Sequence, residues 1–194
     1  MRLIALCLLA SALIPSITRA QDVPVFAIKP MQSSIKFDVK ASVAIAGTFD
    51  RWNATLTFTS TDVTTGVLDV EIQAASVDTG SGMKDSKLKS SDFFDVANNP
   101  LITFKSTKIS QTGPNTFELD GNFTIRGVTR AEQLTLTVSG KGTGSGQISG
   151  TLYFDRKDYG MNSGIPFIKI ANRVEVKVAL KGTRVGGPPL TFKQ

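Results

Sequence analysis

The chain of 194 residues carries 22 Lys+Arg against 16 Asp+Glu, 12 Phe against two Tyr and one Trp, a single Cys and no His. Without His there is no His-ligated zinc, no Ser-His-Asp or Cys-His nucleophile and no haem on an axial His. A hydrophobic content of 41% over this length suits one folded domain rather than a disordered chain.

Arg2 precedes an apolar run from Leu3 to Ile14, which Pro15 ends and the small residues Thr18 and Ala20 follow. This order reads as a signal peptide at residues 1–20, cleaved before Gln21, because the run is short for a membrane span. An uncleaved anchor is the alternative. The expected product is an exported domain of residues 21–194 with no integral membrane segment. Cys7 lies within the apolar run, so lipidation is not expected and the mature chain has no disulfide. Cleavage also removes Arg2 and Arg19, lowering the net charge from +6 to +4. The basic excess is scattered apart from Lys84, Lys87 and Lys89, which have Asp85 and Asp92 beside them. Nucleic acid is therefore not an expected partner, since phosphate-binding patches are denser and interleaved with stacking aromatics.

Period-two alternation dominates the rest, the mark of strands with one buried face. In Ser34 to Ile45 the apolar set is Ile35, Phe37, Val39, Ala41, Val43 and Ile45, read as one strand. Parity then inverts to Trp52, Ala54, Leu56 and Phe58, which predicts a turn or bulge near Asp50-Arg51. Further strands are predicted around Leu68–Ile72, Ile102–Phe104, Phe117–Ile125, Leu134–Val138, Ile148–Phe154 and Val174–Leu180, with Gly, Asn, Asp and Pro turns between them. No Asp or Glu is read on the inward parity of a strand, which leaves no carboxylate pair for catalysis. Met83 to Asp95 is the exception, a short helix with Ser81 as a possible cap. The glycines from Gly140 to Gly150 predict a flexible hairpin, and Gly186-Gly187-Pro188-Pro189 is read as closing the domain.

A sheet with one apolar face and almost no helix to cover it is expected to close on itself, so the predicted fold is all-β. It is a single closed antiparallel barrel of about eight strands with one short helix. Its interior is either filled by side chains or holds one small ligand. Phe offers no hydrogen-bonding group, so such an interior favours hydrocarbon over sugars or nucleotides. An outer-membrane barrel shows the same alternation, but its Tyr and Trp girdles are missing from a chain whose only Trp and Tyr are Trp52, Tyr153 and Tyr159.

Several ordered blocks resemble the YceI-like family. They are Ser34-Ile35-Lys36-Phe37-Asp38-Val39, Gly47-Thr48-Phe49, Ser76-Val77-Asp78-Thr79-Gly80 and Asp85 to Asp95. They continue with Pro100 to Ser106, Gly121 to Arg130, and Arg156-Lys157-Asp158-Tyr159-Gly160-Met161. The resemblance covers essentially all of residues 21–194. It implies a lipocalin-like periplasmic protein that binds a polyisoprenoid chain, such as that of a quinone or lipid carrier, in its apolar interior. Cofactors are not implied beyond that bound isoprenoid lipid or quinone. Family members often carry His where Ser33, Ala41 and Lys87 stand here, so the resemblance speaks for tail binding more than for a particular head group.

The residues assigned to the apolar interior and mouth are Ile35, Phe37, Val39, Phe49, Phe93, Phe94, Phe104, Phe123, Ile125, Leu136, Phe154, Tyr159 and Val176. Each is read either as ligand contact or as ordinary core. Of Phe93 and Phe94, one is expected to staple the helix and the other to line the mouth. Arg156 and Asp158 are read as a structural ion pair or as contacts for a polar head group. Asp85, Asp92 and Asp95 lack the spacing of a calcium loop and are read as capping helix ends. Three functions follow: an isoprenoid carrier, an enzyme acting on such a lipid, and a non-catalytic interaction or inhibitor module working through its loops. The first is preferred, and a homodimer is left open.

Overall fold

The computed structural model describes residues 22–42, 45–164 and 167–193. The segment read as a signal peptide lies outside them. Eleven strands form one antiparallel sheet: β1 (Val25–Ile28), β2 (Ser34–Ala41), β3 (Ile45–Phe49), β4 (Trp52–Thr57), β5 (Val67–Gln73), β6 (Val77–Asp78), β7 (Leu101–Gln111), β8 (Thr116–Ile125), β9 (Val128–Ser139), β10 (Ser145–Asp155) and β11 (Ile170–Gly186). The described residues hold one α-helix, α1 (Gly82–Lys89).

The hydrogen-bonded order is β4-β5-β7-β8-β9-β10-β11-β2-β3-β6, with β1 joined to β11 outside that path. This corrects the expectation of a closed barrel of about eight strands. The sheet curls round its apolar face into a half-barrel, and the ladder does not return on itself. Its two ends explain why. β6 supplies only two residues, Thr48↔Asp78 and Phe49↔Val77 being its pairs with β3. At the other end β4 lies against β1 without a ladder, and the rings of Phe26 and Phe58 meet there with centroids 5.8 Å apart. Side chains, not backbone bonds, bridge the seam.

The stretch read as one strand from Ser34 to Ile45 is two. Val39 pairs antiparallel with Ile45, so both face the core and the parity is preserved through the reversal, while Val43, read in the same set, lies outside the described residues. The predicted break at Asp50-Arg51 is present. It is fixed by Asp50 N donating to the Ser76 carbonyl at 3.2 Å and Gln73 N to that of Arg51 at 2.9 Å. β11 pairs with β10 along one edge and is long enough to serve two partners along the other, β2 over Ile170–Ala179 and β1 over Gly182–Gly186.

The apolar parity faces inward throughout. Leu68, Leu180 and Leu119 are at or below 1% exposure, and each such side chain contributes roughly 1.5–3 kcal/mol through burial. Inward glycines make room for rings on neighbouring strands: a Cβ on Gly121 would stand 2.6 Å from Cζ of Phe104, and one on Gly47 2.8 Å from Cζ of Phe37. Ser106, also inward, is buried and accepts from Leu68 N at 2.9 Å, where the β5–β7 ladder stops at Asp69↔Lys105. The hairpin between β9 and β10 turns through Gly140, Gly142 and Gly144, all at positive φ. Beyond Gly186 the chain continues to pack, with Leu190 and Phe192 lying against the core and Thr191 bridging to Asp62. No helix among the described residues is long and apolar enough to cross a membrane.

Candidate functional site

Two apolar cavities occupy opposite ends of the curled sheet, about 100 Å³ at the end nearer α1 and about 120 Å³ beneath the glycine hairpin. They share no lining residue. Between them six strands each contribute one inward side chain to a packed layer: Ile35, Val70, Phe104, Leu134, Leu152 and Val178, none more than 9% exposed. The interior is thus divided and is not a single through-going channel.

The first cavity collects most of the residues assigned from sequence. Phe37 and Val39 reach it from β2, Phe49 from β3, Phe123 and Ile125 from β8, Phe154 from β10 and Val176 from β11, and Phe93 and Phe94 close it from the segment after α1. Both Phe93 and Phe94 line the cavity, so the division into one staple and one mouth residue does not hold. Phe94 also packs with Phe49 and Phe37, centroids 5.9 and 6.5 Å away, while the ammonium of Lys87 stands 5.8 Å over Phe93. Four assigned residues do not line it. Ile35 and Phe104 belong to the dividing layer, and Tyr159 stands behind Phe123 and Phe154, centroids 5.5 and 5.2 Å away. Leu136 lines the second cavity instead.

Sequence reading missed Ile72, Leu88, Ile102, Met161, Ile168 and Val174, all lining the first cavity. Ile72, Ile102 and Val174 had the right parity, and only their height along the strands, set by register, places them there. α1 is positioned by Asp85 and not by the side chain of its N-cap residue Ser81: the Asp85 carboxylate accepts from Thr79 N at 2.9 Å and Thr79 Oγ1 at 2.7 Å. Those bonds, the Thr79 hydroxyl first, hold the Asp85 carboxyl below its ordinary range. Asp92 is held low likewise, by Lys87 Nζ at 2.5 Å and by Ser163 Oγ at 3.1 Å. Asp95, at positive φ, accepts from the amides of Asn98 and Asn99, each at 3.1 Å.

Two further corrections concern charge. Arg156 and Asp158 do not pair. Arg156 is 7% exposed, and its guanidinium donates to the carbonyls of Ala171 at 3.2 Å, Ser163 at 3.0 Å and Met161. The short turn 156–159 leads its chain back beneath the cavity, whereas Asp158 offers its own carbonyl to Arg130 Nε at 2.9 Å. Nor is the inward parity free of acids. Glu132 shares the parity of Leu134 and Leu136, and its carboxylate accepts from the hydroxyl of Tyr159 at 2.7 Å.

The YceI-like domain matches residues 26–182, and this chain belongs to that family. Among curated relatives, a UPF0312 protein of Pseudomonas syringae pv. syringae is 35% identical over 98 residues, 50% of this chain and 51% of the relative. The chain therefore spans about half the length of such relatives. Two solved structures share the fold. BcnA of Burkholderia cenocepacia aligns with a TM-score of 0.72 at 24% identity, over 80% of this chain and 99% of BcnA. A polyisoprenoid binding domain from Saccharophagus degradans aligns with a TM-score of 0.67 at 16% identity, over 83% of this chain and 99% of that domain.

Proposed function

We propose that this chain is an exported, non-catalytic carrier that holds the isoprenoid tail of a lipid, a quinone or a polyprenyl compound, in the cavity beside α1. The observation that carries this reading is the lining: of 20 residues, 17 are apolar, and the other three are cations. Family membership and the polyisoprenoid-binding relative support it. The mechanism is desolvation. The cavity is of the order of the ~150 Å³ engineered cavity that takes a benzene ring, so it seats about one isoprene unit without rearrangement. Burying five carbons contributes on the order of 3 to 4 kcal/mol at most before association costs. A longer tail either leaves by the mouth or displaces the layer of Ile35, Phe104 and Leu134.

Export and retention in the periplasm are part of the proposal and rest on residues 1–20 of the sequence. The test is organic extraction of protein purified from its periplasm, followed by mass spectrometry and by titration of the stripped protein with quinone and polyprenol. Near-stoichiometric isoprenoid is expected, with release on Phe37→Asp in a protein that still folds. No extracted lipid and no binding of either added compound would sink the carrier reading. The dividing layer would then favour the loop-mediated interaction module, since a packed interior is what that function needs.

A further inference from the structure

We infer that the second cavity, beneath the glycine hairpin, is a binding site in its own right for a compact uncharged hydrocarbon of about one aromatic ring, with the segment 187–193 as its door. This goes beyond the tail-binding reading and does not rest on it. The cavity measures about 120 Å³ and shares no lining residue with the one beside α1. The layer of Ile35, Phe104 and Leu134 keeps the two occupants apart.

Two aromatic pairs frame the space. Phe26 and Phe58 meet at the seam with centroids 5.8 Å apart, and Phe117 and Phe192 meet edge to face at 6.2 Å. All four rings line the cavity, together with Leu119 and Leu136. Each ring is braced by its own partner, so the four surround the void without collapsing into it. The walls of such a void lack contact atoms on one side, and a ring-sized occupant restores them. An engineered apolar cavity of about 150 Å³ stays dry and takes benzene for this reason. Charge is excluded. No Asp or Glu among the described residues lines the cavity, and its two cations are engaged by the backbone. Arg184 Nη1 donates to the Gly187 carbonyl and Lys141 Nζ to that of Pro114, with the Lys141 ammonium 4.7 Å over the Phe192 ring. An ionised group against these walls would be desolvated without compensation.

The door is the part of the wall that no ladder holds. The segment 187–193 is joined to the rest by an isolated bridge, Asp62↔Thr191, and by a few hydrogen bonds. Thr191 N donates to the Thr61 carbonyl at 2.8 Å and Val63 N to that of Thr191 at 3.1 Å. Gln111 grips Lys193 from both sides, Oε1 accepting from its N at 2.8 Å and Nε2 donating to its carbonyl at 2.9 Å. Leu190 and Phe192, carried between these ties, line the cavity. The matched YceI-like domain covers residues 26–182, so this wall lies beyond it. A wall tied in this way opens at lower free energy than the strands it covers.

The experiment locates two ligands in one protein. Benzene and benzoate are titrated into the delipidated full chain, with and without farnesol, and methyl ¹H–¹³C spectra report where each binds. Benzene is expected to shift the methyls of Leu119, Leu136 and Leu190 saturably and to leave those of Val39 and Ile45 in place. Farnesol should do the reverse, and saturating farnesol should not change the affinity for benzene. Benzoate should bind about tenfold more weakly than benzene or worse, its charge finding no partner. Leu190→Trp, which fills the void from the door, should weaken benzene about tenfold or more and leave farnesol unchanged. Should that variant displace the segment, the wild-type spectra still decide. Gln111→Ala, which removes the grip on Lys193, should quicken benzene exchange in the same spectra, and an unchanged exchange rate would overturn the door. Displacement of benzene by farnesol would make the two cavities one channel and overturn the inference. So would benzoate binding as tightly as benzene, or benzene shifting no methyl of the second cavity. Farnesol moving no methyl of the first cavity would overturn the tail reading and leave this one standing.

Discussion

The Tyr159 hydroxyl donates to Glu132 Oε1 at 2.7 Å, tying the turn after β10 to the inward face of β9. Tyr159 is wholly buried, and its ring backs Phe123 and Phe154. Burial first, and the Glu132 carboxylate second, push the phenol well above its ordinary value near 10. The folded state therefore holds this proton more tightly than the unfolded chain does. The stability so conferred is complete below about pH 10 and is lost as pH rises beyond it towards the folded value. Tyr159→Phe should lose about 1 kcal/mol at neutral pH and unfold less steeply with alkali. Urea midpoints measured from about pH 7 to 11 check this, and an unchanged alkaline slope in the variant would contradict it.

Phe123 and Thr124 test the facing of β8. Phe123 is 6% exposed among aromatic rings, whereas Thr124 meets only the Thr129 hydroxyl, at 2.7 Å near the surface. Phe123→Asp puts an unpaired carboxylate among hydrocarbon and should destabilise by several kcal/mol. Thr124→Asp should stay within about 1 kcal/mol, the scale of the hydroxyl bond it loses. Thermal unfolding of the two variants decides, and equal shifts would mean the strand is turned the other way.

A glycine pair tests the close approach of rings to backbone. A Cβ on Gly121 would meet Phe104 Cζ at 2.6 Å and the Lys105 carbonyl at 2.8 Å, so neither neighbour alone can give way. Gly121→Ala should cost about 1–3 kcal/mol, the scale of core overpacking. At Gly182 the nearest atom to such a Cβ is Ile28 Cδ1 at 3.7 Å. Gly182→Ala should therefore change stability by no more than about 0.5 kcal/mol. Chemical denaturation of both proteins supplies the comparison.

The attachment of α1 depends on acid. The Asp85 carboxyl is held low by its bonds from Thr79, so its contribution is present above its unfolded value of about 4. It fades as pH falls through the lower folded value. Hydrogen exchange in α1 should accelerate on acidification relative to β8, and Asp85→Asn should exchange faster at neutral pH with little further change in acid. An α1 that keeps its protection to the lowest folded pH would refute this role for Asp85.

Which parts of this were legible in the sequence follows from what alternation encodes. It reports which face of a strand is buried, so Phe37, Phe123, Phe154 and the parity change at Asp50-Arg51 were readable. It is blind to a reversal that preserves parity, and the stretch in which Val39 pairs with Ile45 therefore read as one strand. Short strands such as β1 and β6 carry too few residues to alternate, and without them the seam at Phe26 and Phe58 could not be foreseen. β11 loses its apolar pattern after Leu180, where Gly182 and Thr183 pair with β1. Phe104 and Phe123 face each other directly across β7 and β8 and so looked equivalent, although the Phe104 ring leans over Gly121 and divides the interior while Phe123 lines a cavity. Charge pairing was sought between neighbours in sequence. Arg156 found carbonyls at Met161, Ser163 and Ala171 instead, and Glu132 lay just before the run in which β9 was recognised.

The division of the interior by the layer of Ile35, Phe104 and Leu134 has a volumetric side. Two apolar voids of about 100 and 120 Å³ are space that the unfolded chain does not retain, so hydrostatic pressure works against the native sheet in proportion to them. Because the voids share no wall, filling the one beside α1 removes its share of that volume and leaves the other compressible. An occupant of the first cavity should thus raise the pressure of half-unfolding only part of the way, with the void under the glycine hairpin keeping the remainder.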